Sequence, residues 1–137
     1  MKLTSASNYA LRTLVYLVAK KKEKVNIISS EVIAKDCGVK SFRFLLKVLK
    51  PLVGIRILHS VKGPSGGYSL ARPANEISLL EVIEAVDNEP ISGKVPPVEK
   101  ETNPNLTNRL ETITQQTAEL VRKHLGKIKL SDLCTKD

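Results

Sequence analysis

Apolar residues recur at helical spacing near the start of the chain. Four of them lie three or four residues apart along residues 10–18, which places them on one face of a helix. Thr4 or Ser5 can cap the start of this helix, and lysines at 20–22 suit its end because cations complement the helix dipole there. The pattern predicts an amphipathic first helix. Its apolar face consists of Ala10, Leu14, Leu17 and Val18.

The next apolar positions predict two shorter helices on either side of Gly38. Ser29 or Ser30 can cap the first of them, and Gly38 can end it. Ser41 can cap the second, which Pro51 should kink or shorten near its end. The core positions of the second helix follow the i, i+3, i+4, i+7 rule. They are Leu45, Val48, Leu49 and Leu52.

The opposite face of this second short helix is cationic. It carries Arg43, Lys47 and Lys50, with Phe42 and Leu46 near them. Two short helices joined at a glycine are typical of a helix-turn-helix, whose second helix enters the major groove of DNA. Many helical pairs share this pattern, so the pattern alone is only moderately specific.

A predicted β-hairpin follows directly. The segment "IRILHSV" has the composition of a strand, "GPSGG" that of a turn, and "YSLARP" that of a second strand. A helix-turn-helix followed by a hairpin is a winged helix, in which glycines let the backbone approach phosphates or enter a minor groove and Lys62 supplies charge. A phosphate-binding loop of an enzyme is the other interpretation, but "GPSGGY" matches neither G-x-x-x-x-G-K-[ST] nor G-x-G-x-x-G.

Charge divides unevenly along the 137 residues. Residues 1–72 hold 14 Lys and Arg against 3 Asp and Glu, whereas residues 73–137 hold 8 against 11. This asymmetry favours a polyanion bound by the first part, because a surface that only confers solubility would mix the signs throughout. No apolar run reaches the roughly 18 residues that a membrane helix needs. Two distant cysteines, Cys37 and Cys134, favour a cytoplasmic protein with free thiols.

The last third of the chain predicts a long helix. From about Asn105 to Leu125 the pattern is helical, with a broken apolar stripe too long to be buried against one small domain. The helix could instead fold back and bury the stripe against its own domain. The proline-rich loop at 88–104 would let the helix extend away from the winged domain, and this favours a homodimer. The predicted dimer contacts are Leu106, Leu110, Ile113, Leu120 and Val121.

Several of these segments resemble the Rrf2 family, which consists of bacterial dimeric winged-helix transcription regulators. The segments are "MKLTSASNYALRTLVYL", "EVIAKDCGV", the wing "VKGPSGGYSLARP" and "ANEISLLEVIEAVD". The C-terminal "NPNLTNRLETITQQTAELVRKHLGKIKLSDL" resembles the family's long dimerisation helix and closing helix. The resemblance implies a DNA-binding regulator whose long helix crosses that of a second subunit.

The chain also departs from the family pattern. Well-known members hold an iron–sulfur cluster on three cysteines in the loop before the long helix, but here that loop, "NEPISGKVPPVEKETNPN", has neither cysteine nor histidine. The chain therefore resembles the cluster-free branch, and no cofactor is expected. Lys62 stands where many members have arginine, Leu46 where some have glutamate, and Arg56 where members usually have glycine. These changes bear on the target sequence, not on DNA binding.

The sequence thus predicts a mainly α protein with a small β-hairpin wing, divided into a winged helix-turn-helix domain (1–87), a loop (88–104) and a dimerisation segment (105–137). We expect a homodimeric regulator of transcription, most simply a repressor, that binds double-stranded DNA without catalysis, metal or membrane. An unidentified effector, a protein-binding winged helix and redox sensing at Cys37 or Cys134 stay open as alternatives. The predicted DNA contacts are Lys2, Thr4, Ser5, Asn8, Tyr9, Ser41, Phe42, Arg43, Phe44, Lys47, Lys50, Lys62, Gly63, Ser65, Gly66, Gly67 and Arg72.

Overall fold

Helices dominate the computed structural model, which describes residues 1–134. The elements are α1 (Ser5–Lys22), α2 (Ser30–Asp36), α3 (Phe42–Gly54), β1 (Leu58–Val61), β2 (Gly67–Leu70), α4 (Leu79–Asp87), α5 (Pro104–Lys127) and α6 (Leu130–Leu133), with a short 3-10 turn at Ala74–Glu76. The predicted fold class, mainly α with a small β-hairpin, is confirmed.

Side-chain caps define where the first three helices begin. Thr4, Ser29 and Ser41 are the N-caps, and each accepts a hydrogen bond from the backbone N–H three residues ahead. These bonds satisfy amide groups that have no partner within the helix. Gly38 follows α2 with a φ of 71°, the left-handed conformation that commonly ends a helix.

Helix α3 continues beyond its proline. Pro51 lies inside the helix, which ends at Gly54, so Pro51 does not shorten it, and the alternative that it kinks the helix stays a prediction. The side chain of the next residue, Leu52, is fully buried, and its carbonyl accepts a hydrogen bond from Ile57 N–H at 2.9 Å. Burial of this last turn offsets the hydrogen bond that the proline cannot donate.

The core lies where α1, α3 and α4 pack together. All four predicted core positions of α3 are buried, which confirms the helical spacing read from the sequence. The hydrophobic core extends into the strand region and reaches the C-terminal segment. Its largest fully buried apolar residues are Leu14, Ile33, Leu45, Leu49, Leu52, Ile57, Leu58, Ile77 and Leu130.

The two strands form the wing. They pair antiparallel, with Leu58 opposite Leu70 and Val61 opposite Gly67. The segment before α2 joins this sheet, because Ile28 and Tyr68 exchange backbone hydrogen bonds at 3.0 and 2.8 Å. A Cβ atom on Gly67 would lie 2.2 Å from the carbonyl oxygen of Ile28, so only glycine allows this approach.

The C-terminal segment closes onto the winged part of the molecule. Leu79 N–H donates to the carbonyl of Ile128, and Leu130 N–H donates to that of Ile77. Together with the buried side chain of Leu130, these bonds hold the end of α5 and α6 against the start of α4. Residues 135–137 of the predicted dimerisation segment lie outside the described residues. Along residues 1–134, no helix combines the length and the apolar character needed to cross a membrane.

Candidate nucleic-acid interface

The exposed face of α3 carries three cations. Arg43, Lys47 and Lys50 are exposed and recur at spacings of four and three residues, so they share one side of the helix. The buried side chains lie on the opposite side. None of the three forms an ion pair with a carboxylate within residues 1–134. Their charge is therefore available to a polyanion.

Two apolar side chains lie beside these cations. Phe42, the first residue of α3, is 45% exposed, and Leu46, one turn later, is 39% exposed. Ser41, next to Phe42, is held as the N-cap, because its hydroxyl accepts the N–H of Phe44 at 3.2 Å. The predicted α3 residues thus form one surface, except that Phe44 turns inward and is half-buried.

Phe44 connects α3 to the start of α1. Its ring meets that of Tyr9 edge to face, with 5.7 Å between centroids and 82° between planes. Such pairs stabilise packing beyond the area that they bury. Tyr9 and Phe44 therefore set the position of one helix relative to the other, and their predicted contacts with DNA stay predictions.

The start of α1 is also tied to α4. The Thr4 hydroxyl donates to Asp87 Oδ1 at 2.6 Å, and the buried Ser7 hydroxyl donates to the same oxygen at 3.0 Å. Lys2 and Ser5 are exposed, as is Asn8, whose side-chain oxygen accepts a hydrogen bond from an arginine one turn ahead. The three exposed residues keep polar groups that can face a phosphate.

The tip of the wing is exposed. Lys62, Gly63 and Ser65 are open to solvent, while Gly66 and Gly67 are half-buried where the turn folds back on the strand. Backbone hydrogen bonds connect the wing to α3: Ile57 donates to Leu52 and accepts a bond from Ala71 N–H, just after β2. The wing and the cationic helix are thus held in one arrangement.

Arg72, at the base of the wing, has protein partners. Its guanidinium contacts Glu81 Oε1 at 2.9 Å and donates to the carbonyl of Glu76 at 3.3 Å, while its Nε is buried without a partner. Glu81 in turn completes the capping box of α4 with Ser78. Arg72 therefore joins β2 to α4, a role that the sequence analysis missed, and its contact with DNA stays a prediction.

The long helix α5 has a largely exposed apolar stripe. Its 24 residues span about 36 Å, yet Ala118 alone is buried among them. Leu106, Leu110, Ile113 and Leu120 are 41–70% exposed, whereas Val121 is half-buried. The spacing of four, three and seven residues places the four exposed side chains on one seam of the helix.

A different face of α5 packs against its own domain. Ala118 lies on this face, and Arg122 pairs with Glu84 of α4. The helix thus folds back onto the domain, as one interpretation of the sequence expected, but the four leucine and isoleucine side chains of the seam stay exposed.

Val98, in the loop before α5, is 64% exposed, and the sequence analysis did not include it among the predicted dimer contacts. A groove of about 370 Å³ runs between its valine- and proline-rich segment (95–98) and the start of α5.

The two thiols are half-buried and free. Burial raises the pKa of the Cys37 thiol above its usual value. Burial likewise raises the pKa of Cys134, whose thiol donates to the carbonyl of Leu130. A raised pKa leaves little thiolate near neutral pH, which disfavours reactive cysteines at either position.

The winged helix, the exposed cations of α3 and the exposed seam of α5 all occur in a chain that matches a known family over nearly its whole length. The sequence profile of Rrf2, described as an iron-dependent transcriptional regulator, matches residues 3–136. The chain belongs to the Rrf2 family. Its family and structural neighbours are transcriptional regulators and not enzymes, in agreement with the sequence prediction.

Curated relatives of this Rrf2 protein include protein aau3 of Rhizobium meliloti, 40% identical over 88 residues. The HTH-type transcriptional regulator IscR of Cereibacter sphaeroides is 34% identical over 87 residues. Each match covers 64% of this chain, and 54% and 56% of the respective relatives. The chain therefore spans just over half the length of the curated relatives that it matches.

Solved structures match over more of the chain. CymR of B. subtilis, described as its global cysteine regulator, is 25% identical with a TM-score of 0.73, covering 98% of this chain and 96% of that one. The oxidized form of Staphylococcus aureus CymR is 28% identical with a TM-score of 0.71, covering 100% and 98%. The similarity extends through α5 and thus includes the long helix as well as the winged domain.

Residues 1–134 offer no grouped donors for the iron of the family description. Three or more clustered His, Cys, Asp or Glu side chains that could hold a metal are absent from residues 1–134. Cys37 lies at the end of α2 and Cys134 beyond α6, and neither belongs to such a group among the described residues. The absence of a cluster stays a prediction.

Proposed function

We propose that this protein is a homodimeric, sequence-specific DNA-binding regulator that represses transcription from a pseudo-palindromic operator. The observation that carries the proposal is the cationic face of α3, where Arg43, Lys47 and Lys50 lie exposed and have no carboxylate partner within residues 1–134. An α-helix fits the major groove, and cations on its outer face can reach base edges and phosphates.

The wing supplies a second contact. Lys62 is exposed at its tip and is followed by backbone that is open at Gly63 and Ser65. Lysine carries a single ammonium group and cannot form the paired hydrogen bonds that a guanidinium forms with guanine. We therefore assign Lys62 to phosphate and not to a guanine edge. Arg43 is the candidate for guanine, because its guanidinium can contact O6 and N7 together.

Dimerisation follows from the exposed seam of α5. Four large apolar side chains on one seam, with Val98 nearby, form an exposed apolar surface. Its removal from water is favourable, and a second copy of the chain can cover it. A two-fold symmetric dimer doubles the DNA site, which one winged helix alone leaves too short to select in a genome. Occupancy of such a site blocks a promoter without further contacts, which is why we propose repression.

Selection of fragments from random DNA, followed by binding titrations at several salt concentrations, tests this function. If Lys47, Lys50 and Lys62 of each subunit contact phosphates, the dimer makes six such contacts, and the slope of log K against log salt should be roughly −5. Arg43→Ala should weaken binding by about 1–3 kcal/mol and relax one base position. Lys62→Ala should weaken binding to all sequences and flatten the salt slope.

Lys123→Ala is the matched control. Lys123 is an exposed cation on α5, so its loss removes the same charge away from the proposed interface. We expect its binding and salt slope to equal those of the parent. If selection enriches no sequence, or if Arg43→Ala and Lys62→Ala bind like Lys123→Ala, the proposed interface is wrong, and the protein-binding alternative gains support.

Iron content tests the expected absence of a cluster. Protein purified without oxygen should carry no iron and no visible absorption band of a cluster, because the loop at 88–104 contains neither cysteine nor histidine. Metal analysis per chain, alongside absorption spectra, makes the measurement. Stoichiometric iron that survives gel filtration would contradict this prediction.

A further inference from the structure

The recognition surface of α3 contains two apolar side chains that its cations do not explain. Phe42 and Leu46 are 45% and 39% exposed and lie one helical turn apart. The core positions of α3 are filled by four other residues, and Phe42 and Leu46 lie at the border between that buried side and the cationic face, with Phe42 about 20° around the helix from Leu49. An exposed apolar patch on a binding surface indicates what the surface binds.

Helical geometry places Leu46 beside the cations, which all lie on one side of it around the helix axis. At 100° per residue, Leu46 lies about 60° around the helix from Arg43 and about 40° from Lys50. It is therefore within the arc that a helix presents to the floor of a groove. Phe42 lies at the first turn, and the first residues of a recognition helix are those that contact base edges.

The neighbouring charges decide what can cover this pair. An apolar protein surface would leave Arg43, Lys47 and Lys50 buried without partners, which is costly. The major groove is about 12 Å wide, and a helix with its side chains is about 10–12 Å across. Its walls are phosphates, and its floor carries one kind of apolar group, the C5-methyl of thymine. The groove therefore satisfies the cations and the apolar pair together.

We propose that Leu46, with Phe42, contacts thymine methyl groups in the major groove and thereby selects operators with thymine at defined positions of each half-site. This inference rests on the proposed DNA-binding function and adds a specificity determinant to it. Leucine offers no hydrogen bond to a base, so the discrimination at these positions comes from the methyl group alone. Uracil, which lacks only that methyl, is thus the informative substitute.

The test replaces each thymine of the selected operator by uracil, one at a time, and measures binding of the parent protein, Leu46→Ala and Phe42→Ala. At one or more positions in each half-site, uracil should weaken the parent about four-fold per methyl, which corresponds to about 0.8 kcal/mol at 1.4 kcal/mol per tenfold. At those positions, Leu46→Ala or Phe42→Ala should bind thymine and uracil equally.

Ile55→Ala is the matched control, because Ile55 is 41% exposed but lies just beyond α3, about 13 Å along the axis from Leu46. It should keep the parent's preference for thymine. A parent protein that selects an operator but tolerates uracil at every position would overturn the inference and leave the proposed function intact. Equal sensitivity to uracil in the parent and both variants, or a change of oligomeric state in Leu46→Ala, would overturn it as well. Selection of no sequence would instead reject the proposed function.

Discussion

Ile113→Ala is the sharpest test of the proposed dimer. Ile113 lies in the middle of α5 and is 57% exposed, so the isolated chain gains little from its side chain. Alanine is also the better helix former, and the substitution should not weaken the helix itself. In a two-fold dimer, however, the same change occurs twice in the interface.

The magnitude follows from the exposed fraction. Full burial of an isoleucine side chain contributes about 1.5–3 kcal/mol, so covering a little more than half of one contributes about 0.9–1.7 kcal/mol. Two copies lose about 1.7–3.4 kcal/mol, and at 1.4 kcal/mol per tenfold the dissociation constant of the dimer should rise about 16- to 270-fold.

Sedimentation equilibrium over a wide range of protein concentration measures this change, and unfolding of dilute samples checks the isolated chain. Thr112→Ala is the control, because Thr112 is exposed on the same helix but lies 100° around it from Ile113. Truncation of α5 would be a poorer test. It would also remove Leu130, which is fully buried in the core.

Two results would refute this reasoning. The parent could be monomeric at every concentration, in which case the seam of α5 is not an interface between two copies. Alternatively, Ile113→Ala could dimerise as tightly as Thr112→Ala, and the interface would then lie elsewhere. Either result would leave the assignment of α3 to DNA untouched, because it rests on different residues.

Two further predictions concern stability. Arg56 has a φ of 61°, a conformation that glycine adopts more easily than arginine, so Arg56→Gly should raise the free energy of unfolding by about 0.5–1 kcal/mol. Gly38 has a φ of 71°, so Gly38→Ala should lower the free energy of unfolding by about 1 kcal/mol. Denaturant titration measures both changes, and two changes of the same sign would contradict the argument. Partial burial would raise the pKa of Glu81, but hydrogen bonds from Ser78 and the guanidinium of Arg72 outweigh it and lower the pKa below 4.5. The charged form therefore stabilises the fold above that pH, and the deficit of Glu81→Gln at neutral pH should shrink as the pH falls below 4.5; a deficit independent of pH would exclude this linkage.

Local patterns predicted the elements of the fold well. The core of α3, the serine cap at Ser41 and the glycine after α2 each depend on neighbours within a few residues, and each is confirmed. The end of α3 was harder to predict. Whether a proline near a helix end terminates it depends on tertiary burial of the next turn, here of Leu52, which no local pattern reveals.

Contacts between distant residues explain most of what the sequence analysis missed. Arg72 resembles a phosphate ligand in sequence, and its pairing with Glu81 is visible only once β2 and α4 are packed. The pair of Glu84 with Arg122 spans 38 positions along the chain. Val98 is an exposed valine in a proline-rich loop. The groove beside it forms between this loop and α5, so it can be recognised only once the position of α5 is known.

The loop before α5 shows the same dependence on tertiary contacts. Its proline content suggested a linker with reach, yet its first part lies against the helix. The Ile91 N–H donates to Glu84 Oε2 at 2.7 Å, and Glu84 also pairs with Arg122. A Cβ atom on Gly93 would lie 2.2 Å from the carbonyl carbon of Thr114, so the loop backbone rests directly on that of α5.

Gly93→Ala should therefore lift this part of the loop from α5. Because the obstacle is helix backbone that cannot move aside, the loop must shift, and the free energy of unfolding should fall by about 1–3 kcal/mol. Gly126→Ala, within α5, is the matched control. The Cβ atom at position 126 would meet only the end of the Leu80 side chain, at 3.7 Å. The gain in helix propensity should raise the free energy of unfolding by about 0.5–1 kcal/mol. Denaturant titration gives both values, and hydrogen exchange of the amides at 91–95 should accelerate only in Gly93→Ala. If both variants are stabilised and exchange in the loop is unchanged, the close packing of Gly93 on α5 does not exist in solution.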